Sequence, residues 1–72
     1  MKVHVCSLPD YLSKNEIIEL FEEVGPVEQF RYSGAHAKHC VEFEMEPTDA
    51  YLAFDMYDGV EFDEEPIVIS LK

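Results

Sequence analysis

The stretch Ser13–Phe30, "SKNEIIELFEEVGPVEQF", holds a start signal, a periodic apolar face, a stop signal and the opening of a further element. Ser13 and Glu16 read as a capping box, in which hydroxyl and carboxylate each take a backbone N–H of the first helical turn. Ile17, Leu20, Phe21 and Val24 follow at i, i+3, i+4 and i+7, one apolar stripe of an amphipathic helix. Gly25 suits the left-handed position beyond the last turn, and Pro26 cannot continue a helix. "VEQFRYS" (27–33) then reads as a strand with Val27, Phe30 and Tyr32 toward the core.

The pattern extends in both directions. Toward the N-terminus, "KVHVCSL" (2–8) alternates Val3 and Val5 inward with His4 and Cys6 outward, and Pro9 and Asp10 end the strand. Toward the C-terminus, Gly34 marks a tight turn, and "AKHCVEFE" (37–44) returns as a third strand antiparallel to the second. Pro47 opens a second helix with an inner stripe of Ala50, Ala53, Phe54 and Tyr57, closed by Asp58-Gly59. After an acidic loop, "PIVISL" (66–71) is a β-branched strand with Ile67, Ile69 and Leu71 inward. The order β-α-β-β-α-β over residues 1–72 predicts one α+β domain of ferredoxin-like topology. Two helices cover one face of a four-stranded antiparallel sheet and leave the other open.

Composition bounds the function. The 72 residues are 47% hydrophobic, with four tyrosines and five phenylalanines, which is globular rather than disordered. A chain of this length buries only about 60% of its unfolded surface, so the core is small. No apolar run is long enough for a membrane span, and the first apolar stretch is too short for a signal peptide, so an intracellular, soluble protein is expected. In that setting Cys6 and Cys40 are expected as reduced thiols. Sixteen acids against five bases give a net charge of −11, the opposite of the usual phosphate binder.

Element order and local phrases together resemble an RNA-recognition motif (RRM) across essentially the whole chain. "IIELFEEVGPVEQF" is similar to that family's first helix and second strand, and "DAYLAFDMYDGVEF" to its second helix and following turn. The signature strands depart from the family pattern. "VHVCSL" has His4 where an aromatic is usual, and "HAKHCVEF" places Lys38 and Cys40 at the two outward ring positions, which removes the ordinary base-stacking platform. A ring-poor branch of the family resembles this arrangement: polypyrimidine-tract-binding protein, heterogeneous nuclear ribonucleoprotein L and the matrins. The resemblance implies a nuclear or nucleocytoplasmic RNA-processing or splicing module that binds short single-stranded RNA weakly, with pyrimidine-rich sequences favoured. It implies no cofactor and puts His4, Lys38 and Cys40 at the nucleotide-facing surface; strand alternation adds Cys6, Arg31, Ser70 and Lys72 to the expected RNA path.

Strand alternation sorts the charges by face. Arg31, Lys38 and Lys72 fall on the open face with a single acid, Glu42, while Glu16, Glu19, Glu22 and Glu23 lie on the first helix. The acidic back suggests an alternative function, protein interaction. Glu16, Glu19 and Glu23, or the off-stripe apolar residues Tyr51, Leu52 and Met56, would then meet a basic or apolar partner. Those three apolar side chains equally fit packing against the last strand or the preceding loop.

Other chemistry finds less support. His4, His36, Cys6 and Cys40 are metal-ligating types, but they are scattered without a close pair, so no metal site is expected. Cys40 and His4 would be neighbours on adjacent strands, yet a flat open sheet offers no enclosed pocket for nucleophilic catalysis. Acylphosphatases share the element order, but no glycine-rich phosphate cradle is present. The R-x-F loop by which some RRM variants grip a partner's tryptophan is replaced by "VEF" (60–62). No enzyme is expected.

Overall fold

The capping box forms as read: Ser13 Oγ accepts the Glu16 N–H at 3.2 Å, and Glu16 Oε1 accepts the Ser13 N–H at 3.2 Å. It opens α1 (Lys14–Glu22), which buries Ile17 and Phe21. The computed structural model describes residues 1–9, 11–33, 40–62 and 64–72. Besides α1 it contains β1 (Lys2–Cys6), β2 (Glu28–Ser33), β3 (Cys40–Glu44), α2 (Pro47–Tyr57), β4 (Glu61–Phe62), β5 (Glu65–Pro66) and β6 (Val68–Leu71). Strands β2, β3, β1 and β6 form, in that order, one antiparallel sheet. The turn expected at Gly34 and the residues Lys38, His36 and His39 lie outside the described residues. No helix among the described residues is long and apolar enough to cross a membrane.

The core lies between the helices and the inner side of the sheet. Val3, Val5, Val41, Phe43, Ile67 and Ile69 meet Ile17, Phe21, Ala50 and Ala53, and Leu8 and Met45 close the ends. Phe21 stands at the centre, with ring centroids 4.9 Å from Phe43 and 5.3 Å from Tyr57. The Tyr57 hydroxyl donates to the Leu20 carbonyl at 3.2 Å and so joins the two helices; burial, with a smaller contribution from Glu23, raises its phenol pKa.

Four local expectations need correction. Gly25 does not take the left-handed conformation: the chain leaves α1 through Val24 N–H to Phe21 C=O at 3.0 Å, a tighter turn that needs no positive φ. Glycine there lets the turn approach Asp49 closely, since a Cβ would meet the Asp49 carboxylate and one side chain would have to shift. Tyr32 pairs with Val41 on the core side but is 39% exposed, because β2 is an edge strand; its ring meets Phe30 edge-on at 5.7 Å. Phe54 is 36% exposed, because α2 meets the sheet along Ala50 and Ala53 and leaves its neighbour on the flank. Part of the acidic loop is a short hairpin, β4 paired with β5.

The segment after α2 also covers the outer edge of β6. Gly59 N–H donates to Ile67 C=O at 2.9 Å, Ile67 N–H to Val60 C=O at 3.0 Å, and Ile69 N–H to Asp58 Oδ1 at 2.9 Å. These bonds occupy backbone groups that an edge strand would otherwise offer to another chain. Asp58→Ala is expected to cost about 1.5–3 kcal/mol in urea unfolding, the range for losing a hydrogen bond to a charged acceptor. A change of a few tenths would mean that water serves the Ile69 N–H equally well.

Candidate nucleic-acid interface

The side chains of the open face follow from the register. His4 lies opposite Glu42 on β3 and Ser70 on β6, and Cys6 lies opposite Cys40 and Val68. Arg31 faces Glu42, and Ser33 faces Cys40. Backbone hydrogen bonds of 3.1 and 2.9 Å pair Lys2 with Lys72, which extends the same face by one row. Six of the seven residues expected along the RNA path, His4, Cys6, Arg31, Cys40, Ser70 and Lys72, therefore share one side of the sheet. Lys38, the seventh, lies outside the described residues. Among the described residues of these four strands, no Phe, Tyr or Trp stands on this side.

The charge on this face differs from the expectation of one acid. A bulge between Glu28 and Arg31, with Gln29 at φ 53°, sets three residues of β2 against two of β3 and turns Glu28 to the open side opposite Glu44. Glu44 also pairs with Lys2. Glu28 and Glu44 thus join Glu42, and Lys2 joins the bases. Lys2 and Glu44 were legible from the i, i+2 alternation of their strands; Glu28 was not, because the bulge reverses its parity.

Glu42 is the hub of this surface. Its Oε2 accepts a hydrogen bond from Arg31 Nη2 at 3.0 Å and lies 3.7 Å from Lys2 Nζ. The Arg31 hydrogen bond is the main reason that the Glu42 carboxyl titrates below its ordinary value; partial desolvation opposes it, and the charges of Arg31, Lys2 and His4 add to it. The ion pair stabilises the fold above the ordinary carboxylate pKa, and that contribution is lost as pH falls through the lowered value. Both cations thus lie within ion-pair distance of one carboxylate. Lys2, Gln29, Arg31, Glu42 and Glu44, together with Phe30 and Phe43 of the core side, border a shallow depression at the bulged edge of the sheet.

At the other end of the face, Cys6 and Cys40 are joined by a disulfide, where free thiols were expected. Thirty-four residues separate them in sequence, but the β1–β3 register sets them directly opposite each other. His4 Nε2 lies 3.8 Å from Cys6 Sγ and 2.9 Å from Ser33 Oγ, so its ring spans toward β2. The sequence distance that argued against a shared site is removed by strand pairing. Ser33 was absent from the expected path, although it continues the alternation of Arg31.

The back of the domain presents the residues of the alternative reading. Glu16, Glu19 and Glu23 are exposed, with Glu16 engaged in the capping box. On α2, Tyr51, Leu52 and Met56 are 57%, 48% and 49% exposed, so they do not pack beneath the last strand.

No protein-family model matches the sequence, and no curated protein matches it. Solved structures do match in fold. The RNA recognition domains 1 and 2 of Sex-lethal from Drosophila melanogaster align with a TM-score of 0.82 at 18% identity, over 96% of this chain. This chain spans only 47% of that one. The third RRM of Pes4 aligns with a TM-score of 0.80 at 21% identity, over 96% of this chain and 87% of its own. The Rna15 RRM, solved with bound GU RNA, aligns with a TM-score of 0.79 at 17% identity, over 99% of this chain and 81% of its own. The fold is that of RRM domains. At these identities the likeness is one of architecture.

Proposed function

We propose that this domain binds short single-stranded RNA weakly through its open sheet face, as a ring-poor RRM module. The supporting observation is the polar strip across all four strands, with Lys2, His4, Arg31, Ser70 and Lys72 on the side left uncovered by the helices. Sex-lethal and Rna15 have been solved with RNA on the same fold. In place of stacking, His4 would offer a ring edge or face, Arg31, Lys38 and Lys72 would meet phosphates or base edges, and Cys6, Cys40 and Ser70 would line the path. The kinship proposed is with the polypyrimidine-tract-binding, heterogeneous nuclear ribonucleoprotein L and matrin branch. With it come a preference for pyrimidine-rich RNA, a part in mRNA processing or splicing, and an intracellular, nuclear or nucleocytoplasmic location. No catalytic role and no membrane contact are part of this reading.

The test is a backbone-amide NMR titration with short pyrimidine-rich and mixed RNA oligomers at low and moderate salt. Shifts are expected at His4, Arg31, Lys38, Cys40 and Ser70. If Lys2, Arg31 and Lys72 each neutralise one phosphate, affinity falls roughly 20-fold between 50 and 200 mM salt, from the single-strand slope of about −0.7 per contact. Glu42→Gln frees Arg31 and Lys2 and removes one negative charge, so it is expected to tighten binding several-fold at low salt. Unchanged shifts and affinity in a folded His4→Ala, Arg31→Ala, Lys38→Ala triple variant would exclude this face.

A second reading rests on the exposure of Tyr51, Leu52 and Met56 on α2. In that reading the helical side, with Glu16, Glu19 and Glu23, receives a basic or apolar protein segment. Silence at the sheet amides, with shifts on α2 upon adding a basic amphipathic peptide, would favour it over RNA.

A further inference from the structure

We propose that, when the Cys6–Cys40 disulfide is reduced, His4, Cys6 and Cys40 form a three-ligand binding site for a thiophilic divalent metal of the zinc class. The inference is independent of RNA binding. A ring nitrogen of His4 and the two Sγ atoms all lie within 4.8 Å of one another on half-buried side chains. In a tetrahedral site with Zn–S near 2.3 Å and Zn–N near 2.05 Å, an N···S edge is about 3.6 Å and an S···S edge about 3.8 Å. The observed His4 Nε2 to Cys6 Sγ distance of 3.8 Å is already close to such an edge. Of the two remaining edges, that from His4 to Cys40 Sγ lies within 4.8 Å, and the S···S edge requires the two sulfurs to part, which reduction permits by side-chain rotation at facing positions of a regular strand pair.

The ligand set has the composition expected of a metal site with an exchangeable position. Two thiolates and one imidazole hold zinc firmly and leave the fourth place to water or another oxygen donor. Here the fourth place faces the solvent side of the sheet. Ser33 Oγ, 2.9 Å from His4 Nε2, is the neighbour the metal would displace from that nitrogen.

The chemistry balances in two steps. A phosphine reductant and one water convert the disulfide to two thiols, the phosphine leaving as its oxide. A divalent ion then replaces the two thiol protons, which pass to buffer, to give a neutral dithiolate complex with neutral imidazole. Disulfide and metal site are mutually exclusive states of the same three side chains. In a reducing compartment, such as the one proposed above, the dithiol state is the available one.

The experiment titrates the folded chain, reduced with a phosphine, with Co²⁺ as spectroscopic probe and then with Zn²⁺. The expected result is one equivalent of Co²⁺ with a thiolate-to-metal charge-transfer band and the visible bands of four-coordination, all abolished by Zn²⁺. The oxidised chain is expected to show none of these. Cys40→Ser is expected to remove most of the charge-transfer intensity, and His4→Ala to weaken Zn²⁺ binding at least tenfold. Amide spectra report folding throughout; should the reduced chain unfold, the site predicts that Zn²⁺ restores the native spectrum and that His4→Ala impairs the recovery. The proposal is overturned by absence of the charge-transfer band in the reduced chain. Equal binding by the oxidised chain, or by His4→Ala, overturns it as well.

Discussion

Phe21→Ala is expected to remove about 3–5 kcal/mol of folding stability, the range for truncating a fully buried aromatic. Phe21 has no exposed surface, and its ring meets Phe43 at 4.9 Å and Tyr57 at 5.3 Å. It therefore joins α1 to the centre of the sheet and to α2 through one side chain. A domain of 72 residues has roughly 4–11 kcal/mol in total, at about 0.05–0.15 kcal/mol per residue. Losing this ring takes a large part of that margin. Urea unfolding followed by circular dichroism measures it. A loss below about 1.5 kcal/mol would mean that Tyr57 and Phe43 close the gap, contrary to the central place given to Phe21.

The second large effect is reduction of the Cys6–Cys40 bridge, expected to lower stability by about 2–4 kcal/mol. The bridge closes a loop across a sequence separation of 34 residues, and the chain-entropy relation for a loop of that size gives about 4 kcal/mol at 25 °C. The two ends also lie in the central strands β1 and β3, so the link restrains the denatured chain near a native pairing. Urea unfolding measures it: the stability lost on phosphine reduction and the stability lost in Cys40→Ser, each relative to the oxidised chain, should agree. A shift under about 1 kcal/mol would show that the bridge does little to restrain the denatured chain. Because the expected loss is smaller than the upper part of the domain's stability range, the reduced chain retains a folded population in which the three-ligand site can form.

The success and failure of the sequence reading divide along physical lines. Ser13 and Glu16 were read correctly because a capping box is complete within four residues. Val3, Val5, Ile17 and Phe21 were placed in the core because a period of 2 or 3.6 states which side is apolar. Tyr32 and Phe54 have the same periodicity as their buried neighbours and are nevertheless exposed. Periodicity gives direction, but what lies in that direction depends on where the strand sits in the sheet and where the helix crosses it. Glu28 was assigned no place on the open face, because a bulge is a property of two paired strands rather than of one.

The sequence alone therefore determined the order of the four sheet strands and two helices, the inner face of α1 and the outward direction of His4, Cys6, Arg31, Cys40 and Ser70. Each of these rests on interactions within one turn or one strand. Only the tertiary structure decided that Cys6 meets Cys40 beside His4, that Glu42 holds both Arg31 and Lys2, and that Asp58 covers the edge of β6. Those contacts join residues from 2 to 40 positions apart through the β1–β3 and β2–β3 registers and the packing of α2 against β6. Register is a collective outcome of burying the whole inner face at once, and no local spacing encodes it.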